Sequence, residues 1–319
     1  MISSIPGQTM GVGVYTDFLI QNSHLTRMQI SMAYMTGTIL SSLLLPLAGR
    51  YYDLVGGRIM IVFAGIGMGI SLLLFAESLT IIHLVHSLLP NISILTSELL
   101  VITVIFLLLR QFGQGIMAMV SRNTLAKWFD RRRGMVSGIS GIFVAFSFSG
   151  APLFMNIIIE DYGYSGSMIL MAIIFGFGMA FIGWLFFRDK PEDCGLLMDG
   201  DKITSLDTTN LFSEPEITLK EALRTYNFWI FCLGLCSAAV IVTGFTFHIS
   251  SIGALAGLSR MEAYGLFLPM SVISVISHFF AGWASDRMPL KYLLMILLAG
   301  LAVGSLGILN LESFWFRLC

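Results

Sequence analysis

Charge is what this sequence has least of. Lys, Arg, Asp and Glu make up 12% of its 319 residues, about half the roughly 25% of an average soluble domain. Hydrophobic residues account for 56%, and mean hydropathy is +0.85. That shortage excludes a soluble globular protein, and the apolar runs leave room for no separate soluble domain larger than one central loop. The net charge of -1 adds little, because in a membrane protein the positions of charges matter more than their sum. Acids are scarcest mid-run: Asp17, Glu98, Glu160, Asp161 and Glu262 all lie near the ends of apolar stretches. Four cysteines, Cys194, Cys232, Cys236 and Cys319, offer no metal-ligand spacing. Phosphate-cradling glycine loops and zinc-spaced histidine pairs are missing, which removes support for an ATP-driven pump or a membrane metalloprotease. The expectation is therefore a non-enzyme without cofactor, metal or nucleic-acid partner. Met1 to Ile20 also lacks the basic start and cleavage site of a signal peptide.

What is present is a series of apolar runs. A helix needs roughly 20 apolar residues to cross the bilayer core, and nine stretches qualify, near 3–20, 29–48, 59–76, 98–120, 135–158, 166–187, 227–249, 263–283 and 292–310. The fold class expected is an all-α membrane protein. Its first stretch is the weakest, since Pro6, Gly7, Gln8 and Thr9 form a helix-breaking polar patch. Irregular backbone at membrane depth is tolerated only where protein or a water-filled cavity covers it, so this patch is a candidate lining of a pathway or else a kink. Between 77 and 97 the sequence reads as an interfacial helix or an insertion.

Lys and Arg accumulate in cytoplasmic loops. With Met1 on the cytoplasmic side, every basic residue falls inside except Arg27, Arg260 and Arg317 outside and Arg110 within a run. The longest polar connection, 188–226, separates residues 1–187, read as a six-helix bundle, from 227–319, read as a partial bundle of three helices. Within that linker, Thr218 and Glu221 have the spacing of a helix-capping box. The loop after the second run reads GRYYDLVGGR from Gly49 to Arg58, and a shorter GWASDR from Gly282 to Arg287 follows the eighth. A Gly-x-x-x-Asp framework that recurs after 233 residues suggests a duplicated architecture.

One basic residue lies inside a run. A charged Arg at mid-span costs ~2.5–3.5 kcal/mol on insertion scales and is usually kept for pairing or for substrate. Arg110 is that residue, and helical spacing sets Thr103, Arg110, Gln114 and Ser121 on one face. Facing a cavity is one reading; neutralisation by a neighbouring helix is the other. Ser31, Tyr34, Thr38 and Ser41 on the second run, and Ser271, Ser274 and His278 on the eighth, form weaker stripes that also suit helix packing. His248 and His278 are each candidates for titration or anion binding, against a purely structural role. Gly65 with Gly69, and Gly176 with Ala180, are small residues four apart that permit close helix approach. A central cation without a central carboxylate favours an anionic substrate.

Taken together, these residues resemble the major facilitator superfamily of secondary transporters. Its signature loop is matched by Gly49, Asp53, Gly57 and Arg58, and its second copy by Gly282, Asp286 and Arg287. Its fourth-span motif is matched by Arg110, Gln114 and Gly115, and Gly150, Ala151 and Pro152 look like a degraded fifth-span motif. The stretches SIPGQTMGV, AKWFDRRRGMVSGI and KPEDCGLLMDG are similar to the branch of monocarboxylate carriers and oxalate/formate antiporters.

The resemblance implies a helical bundle of twelve spans, of which about nine are present, the first incomplete, so the chain is expected to be truncated at both ends. It implies alternating access driven by protons or exchange, with a small anionic organic substrate such as a monocarboxylate, in the plasma or inner cell membrane. It links Arg110 to proton or substrate handling and gives gating to the two loops; with the residues read above, the substrate or coupling candidates are Arg110, Gln114, Gln8, Thr9, Tyr34, His248 and His278. There the first-copy aspartate meets the eleventh span and the second-copy aspartate the fifth. A non-transporting fragment or receptor-like membrane protein of the same fold is the alternative.

Overall fold

The computed structural model describes residues 1–200, 218–258, 265–285 and 287–309. Among the described residues the regular elements are helical. A short 3-10 turn, Ile2–Gly7, leads through an extended Gln8 into α1 (Thr9–Asn22). Then come α2 (Arg27–Ala76), α3 (Ser78–Leu88) and α4 (Ile94–Leu109). A π-helical segment, Arg110–Met117, carries α4 directly into α5 (Ala118–Trp128). After α6 (Arg133–Met171), a second π-helical segment, Ala172–Gly178, leads into α7 (Met179–Phe186). Two short 3-10 turns, Pro191–Cys194 and Met198–Gly200, follow, and the remaining α-helices are α8 (Leu219–Ala222), α9 (Tyr226–Leu255), α10 (Phe267–Ser285) and α11 (Leu290–Leu309).

Among the described residues, five helical stretches are long and apolar enough to cross a membrane: Arg27–Ala76, Ile94–Trp128, Phe154–Phe186, Tyr226–Thr246 and Leu290–Gly307. The first holds two of the stretches anticipated from sequence, because α2 is broken at Gly56, whose φ of 82° is a conformation that side chains with a Cβ rarely adopt. Gly163, at φ 68°, breaks α6 in the same way. Residues 77–97 contain the helix α3.

Packing divides the chain into two compact units, Met1–Asp130 with Ser147–Cys194, and Arg131–Phe146 with Gly195–Cys319. In the first, α2 starts at a capping box: Thr26 accepts from the Gln29 N–H, and the Gln29 side chain accepts from the Thr26 N–H at 2.8 Å. Its end is closed from α6, where the Tyr164 hydroxyl donates to the Phe75 carbonyl at 3.1 Å and the Ser165 hydroxyl to that of Ala76 at 3.0 Å. These bonds satisfy carbonyls that a helix C-terminus leaves open. Tyr15, Phe75, Phe106 and Tyr164 meet edge to face around that point, with ring centroids 5.7–5.9 Å apart.

The two small-residue pairs read from sequence pack on each other. A Cβ on Gly65 would lie 2.8 Å from that of Ala180, and one on Gly176 would strike the Gly69 backbone. Backbones can approach this closely in lipid only where side chains are small. At the opposite end of α2, the loop before it is tied to α4 by Glu98, which is 3% exposed. Its carboxylate accepts from the His24 N–H at 3.1 Å and from the His24 ring Nδ1 at 2.8 Å.

In the second unit, α10 lies along the start of α6. A Cβ on Gly282 would be 2.6 Å from the Gly134 carbonyl, and one on Gly138 would be 3.2 Å from that of His278. At α8 the capping box formed by Thr218 and Glu221 is present, with the Thr218 N–H donating to Glu221 at 2.9 Å.

Candidate functional site

The site is built where three backbones meet in the first unit. Gly37 on α2 faces the turn Thr103–Leu107 of α4 so closely that a Cβ there would lie 2.8 Å from the Leu107 nitrogen. That contact brings Tyr34, one turn earlier, against Phe106, with ring centroids 5.6 Å apart. The turn Ile2–Gly7 lies on the π-helical segment, and Gly7 and Gly113 touch backbone to backbone. A wider helical turn is a recurrent feature of functional sites, and here it opens the ladder where Gly7 enters.

Arg110 begins that segment and is buried, 9% exposed. Its guanidinium carbon sits 5.2 Å from the centroid of the Tyr34 ring, within reach of a cation–π attraction. One of its terminal nitrogens, Nη1, is buried without a hydrogen-bond acceptor, and no ion pair holds it among the described residues. The Tyr34 hydroxyl shares a 2.9 Å hydrogen bond with that of Thr9 at the start of α1. Next to it, the Gln8 amide donates to the Ser4 hydroxyl at 3.1 Å. Thr9, Tyr34 and Arg110 therefore come together, with Gln8 the residue beside Thr9 in the chain.

Gln114 does not join them. It is exposed, whereas Gln111 is buried and accepts from the Ser41 hydroxyl at 2.9 Å. Sequence spacing for a regular α-helix pointed to Gln114 and missed Gln111; the only signal was its adjacency to Arg110. The structure thus offers a buried cation with an open donor, surrounded by hydroxyl and amide groups that can give or accept hydrogen bonds. Such a set is suited to holding an anion and has no nucleophile or paired base for covalent chemistry.

The other sequence candidates lie elsewhere. His248 on α9 is exposed. His278 on α10 directs Nδ1 at the Ser274 carbonyl, 2.7 Å away, and its ring rests on Gly141, where a Cβ would strike it. Of the gating residues, Asp53 is exposed, and no hydrogen bond or ion pair engages it among the described residues. Gly49 has open space around it, the nearest atom to a Cβ being the Met119 sulfur at 4.0 Å. Arg58 is held through its N–H by the Asp189 carboxylate, which the sequence did not single out, and Gly57 lies against the same carboxylate. Arg287 covers the Trp283 ring at 4.6 Å. Gly282 packs on Gly134, and Asp286 lies outside the described residues.

Comparison with known proteins gives one result of weight. A family model described as Major Facilitator Superfamily matches residues 2–317. No curated protein matches the chain.

Proposed function

This chain belongs to the major facilitator superfamily, and from that premise we propose that it carries a small organic anion, such as a monocarboxylate, by alternating access. It is a multi-pass membrane transporter of small solutes; substrate class, coupling and the roles of individual residues are the proposal. The observation that carries it is the Arg110 guanidinium, buried with Nη1 lacking an acceptor. A buried charge is costly unless paired, and an anionic substrate supplies the missing partner. Tyr34, Thr9 and Gln8 would orient that anion, with Gln111 held ready by Ser41. Protons or a counter-anion would drive the cycle.

The remaining assignments follow from the apolar runs, the charge pattern and the family resemblance. Nine crossings, a six-helix bundle over 1–187, a cytoplasmic linker over 188–226 and a partial bundle over 227–319 are proposed, in the plasma or inner cell membrane with the N-terminus inside. Gln114, His248 and His278 are proposed to line the pathway, and the loops containing Asp53 and Asp286 to gate its cytoplasmic end. The resemblance of KPEDCGLLMDG and its companion stretches supports the monocarboxylate and oxalate branch.

The test is counterflow of labelled pyruvate, lactate and oxalate in proteoliposomes, with wild-type protein and Arg110→Gln. Saturable exchange by the wild type, reduced at least tenfold in the variant, is expected. Undiminished exchange by the variant would remove Arg110 from the site.

A further inference from the structure

The turn between the two parts of α2 is held from outside the loop by a residue that no sequence motif marks. Gly56, at φ 82°, is pressed against Asp189: a Cβ at Gly56 would lie 2.5 Å from Oδ2, and one at Gly57 3.2 Å from Oδ1. Asp189 Oδ1 accepts from the Arg58 N–H at 2.6 Å. Residues 57–76 form the helix that starts here, so the carboxylate sits at the positive end of that helix and takes one of its open N–H groups.

The contact is returned in the opposite direction. The Arg58 side chain donates from Nη2 and Nε to the Trp184 carbonyl, at 2.6 and 3.1 Å. Trp184 is in the last turns of α7 (Met179–Phe186), where carbonyls are open and a cation is favoured. Phe187 closes the gap, 3.3 Å from a Cβ on Gly57. Each helix end is thus capped by a charged residue belonging to the other, an acid at the N-terminus and a base at the C-terminus. Asp53, three residues before the break, is exposed and engages nothing among the described residues. The carboxylate that fixes this loop is Asp189.

We infer that Asp189 is a positioning residue for transport: through the reciprocal cap with Arg58 it fixes the loop 49–58 relative to the end of α7, and so sets the rate at which the carrier changes conformation. The inference rests on the carrier reading. A residue acting only on the loop alters the turnover of the cycle and leaves the substrate site, built around Arg110, as it was. Asp189→Ala therefore lowers the maximal rate with the half-saturating concentration unchanged.

The experiment uses the full chain in proteoliposomes with labelled pyruvate, lactate and oxalate as probes, alongside hydrogen exchange of the segment containing the Arg58 amide. Asp189→Ala is expected to speed exchange of that amide roughly fivefold, the typical effect of losing a cap, and to lower maximal counterflow at least fivefold at constant half-saturation, while Asp189→Asn, whose amide oxygen still accepts from that N–H, is expected to lose less of both. Asp189→Glu, which keeps the charge, is expected to restore most of the rate, and Glu192→Gln, an exposed acid nearby, to behave as wild type. Faster exchange at Arg58 with an unchanged rate would overturn the inference, leaving Asp189 a local cap. So would a rate loss shared equally by Asp189→Glu, or an unchanged amide. Absence of counterflow in the wild type with every probe would instead sink the carrier reading and this inference with it.

Discussion

Replacing Arg110 with methionine separates the two roles a buried cation can have, because a substrate residue and a scaffold residue predict opposite changes in stability. Arg110 is 9% exposed, Nη1 has no acceptor, and its visible compensation is the Tyr34 ring at 5.2 Å. Keeping a charge at mid-span costs ~2.5–3.5 kcal/mol on insertion scales, and a cation–π contact returns ~0.5–2 kcal/mol. Methionine has a similar length and no charge, so the substrate-free protein should gain about 1–2 kcal/mol. In a chain of this size that is a rise of a few degrees in Tm. The assay is thermal unfolding in detergent followed by tryptophan fluorescence, with and without pyruvate, lactate or oxalate. The wild type should be stabilised by about 2.7 kcal/mol at 100 times Kd, and Arg110→Met not at all. A fall in Tm for the substrate-free variant, with the anion still stabilising it, would show that Arg110 is scaffold and would refute the reasoning.

Three further outcomes are expected. Gly176→Leu forces a side chain into the Gly69 backbone, and overpacking of this kind costs roughly 1–3 kcal/mol, read as reduced expression and a lower Tm with the substrate response retained. Ser41→Ala leaves the buried Gln111 carbonyl oxygen without its 2.9 Å donor, a loss of about 1–3 kcal/mol that Gln111→Met in the same chain should largely remove. Glu221 is held below the ordinary carboxylate range by the backbone N–H and then the hydroxyl of Thr218; a depressed pKa stabilises above the unfolded value near ~4.3 and is lost below it. Amide protection at Glu221 and Ala222 should therefore be level from neutral pH to about 5 and fall below about 4; Thr218→Ala, which removes the hydroxyl but keeps the backbone N–H, should weaken that pH dependence, and Glu221→Gln should abolish it.

Much of the fold could be read from composition because lipid imposes one demand, an apolar run with every backbone group bonded internally. The glycine pairs at 65 and 69, and at 176 with Ala180, were legible for the same reason, since spacing by four is a helix face. The capping box at Thr218 was legible because it is purely local. What escaped the sequence depends on distant partners. Asp189 caps Arg58 across 131 positions, and no local pattern distinguishes it from the charged residues beside it. The glycine seam of Gly134 and Gly138 with Gly282 joins two segments far apart in the chain. Arg110, Tyr34 and Thr9 were legible as types, a cation and hydroxyls in apolar surroundings, but not as neighbours.

The choice between Gln111 and Gln114 shows how tertiary contact sets the register of a site. In a regular α-helix, residues four apart share a face, which puts Gln114 beside Arg110. The segment Arg110–Met117 is instead π-helical, and each such turn takes one residue more. What imposes the wider turn is not intrinsic preference; it coincides with the entry of Gly7 against Leu109 and Gly113, where no side chain would fit. Widening costs regular hydrogen bonding, which is tolerable at membrane depth only under cover of protein, and Gly113, Gly115 and Ile116 are buried there. Within this segment Gln111 meets the Ser41 hydroxyl of α2 at 2.9 Å while Gln114 is exposed; position i+4 stays within about 40° of Arg110 in either kind of turn, so what separates the two glutamines is what each faces. The segment that carries Arg110 thus rests on a glycine contact more than a hundred residues away in sequence, and substituting Gly7, where a Cβ would strike the Leu109 carbonyl, should displace that segment, read as a lower Tm and a weakened response to substrate.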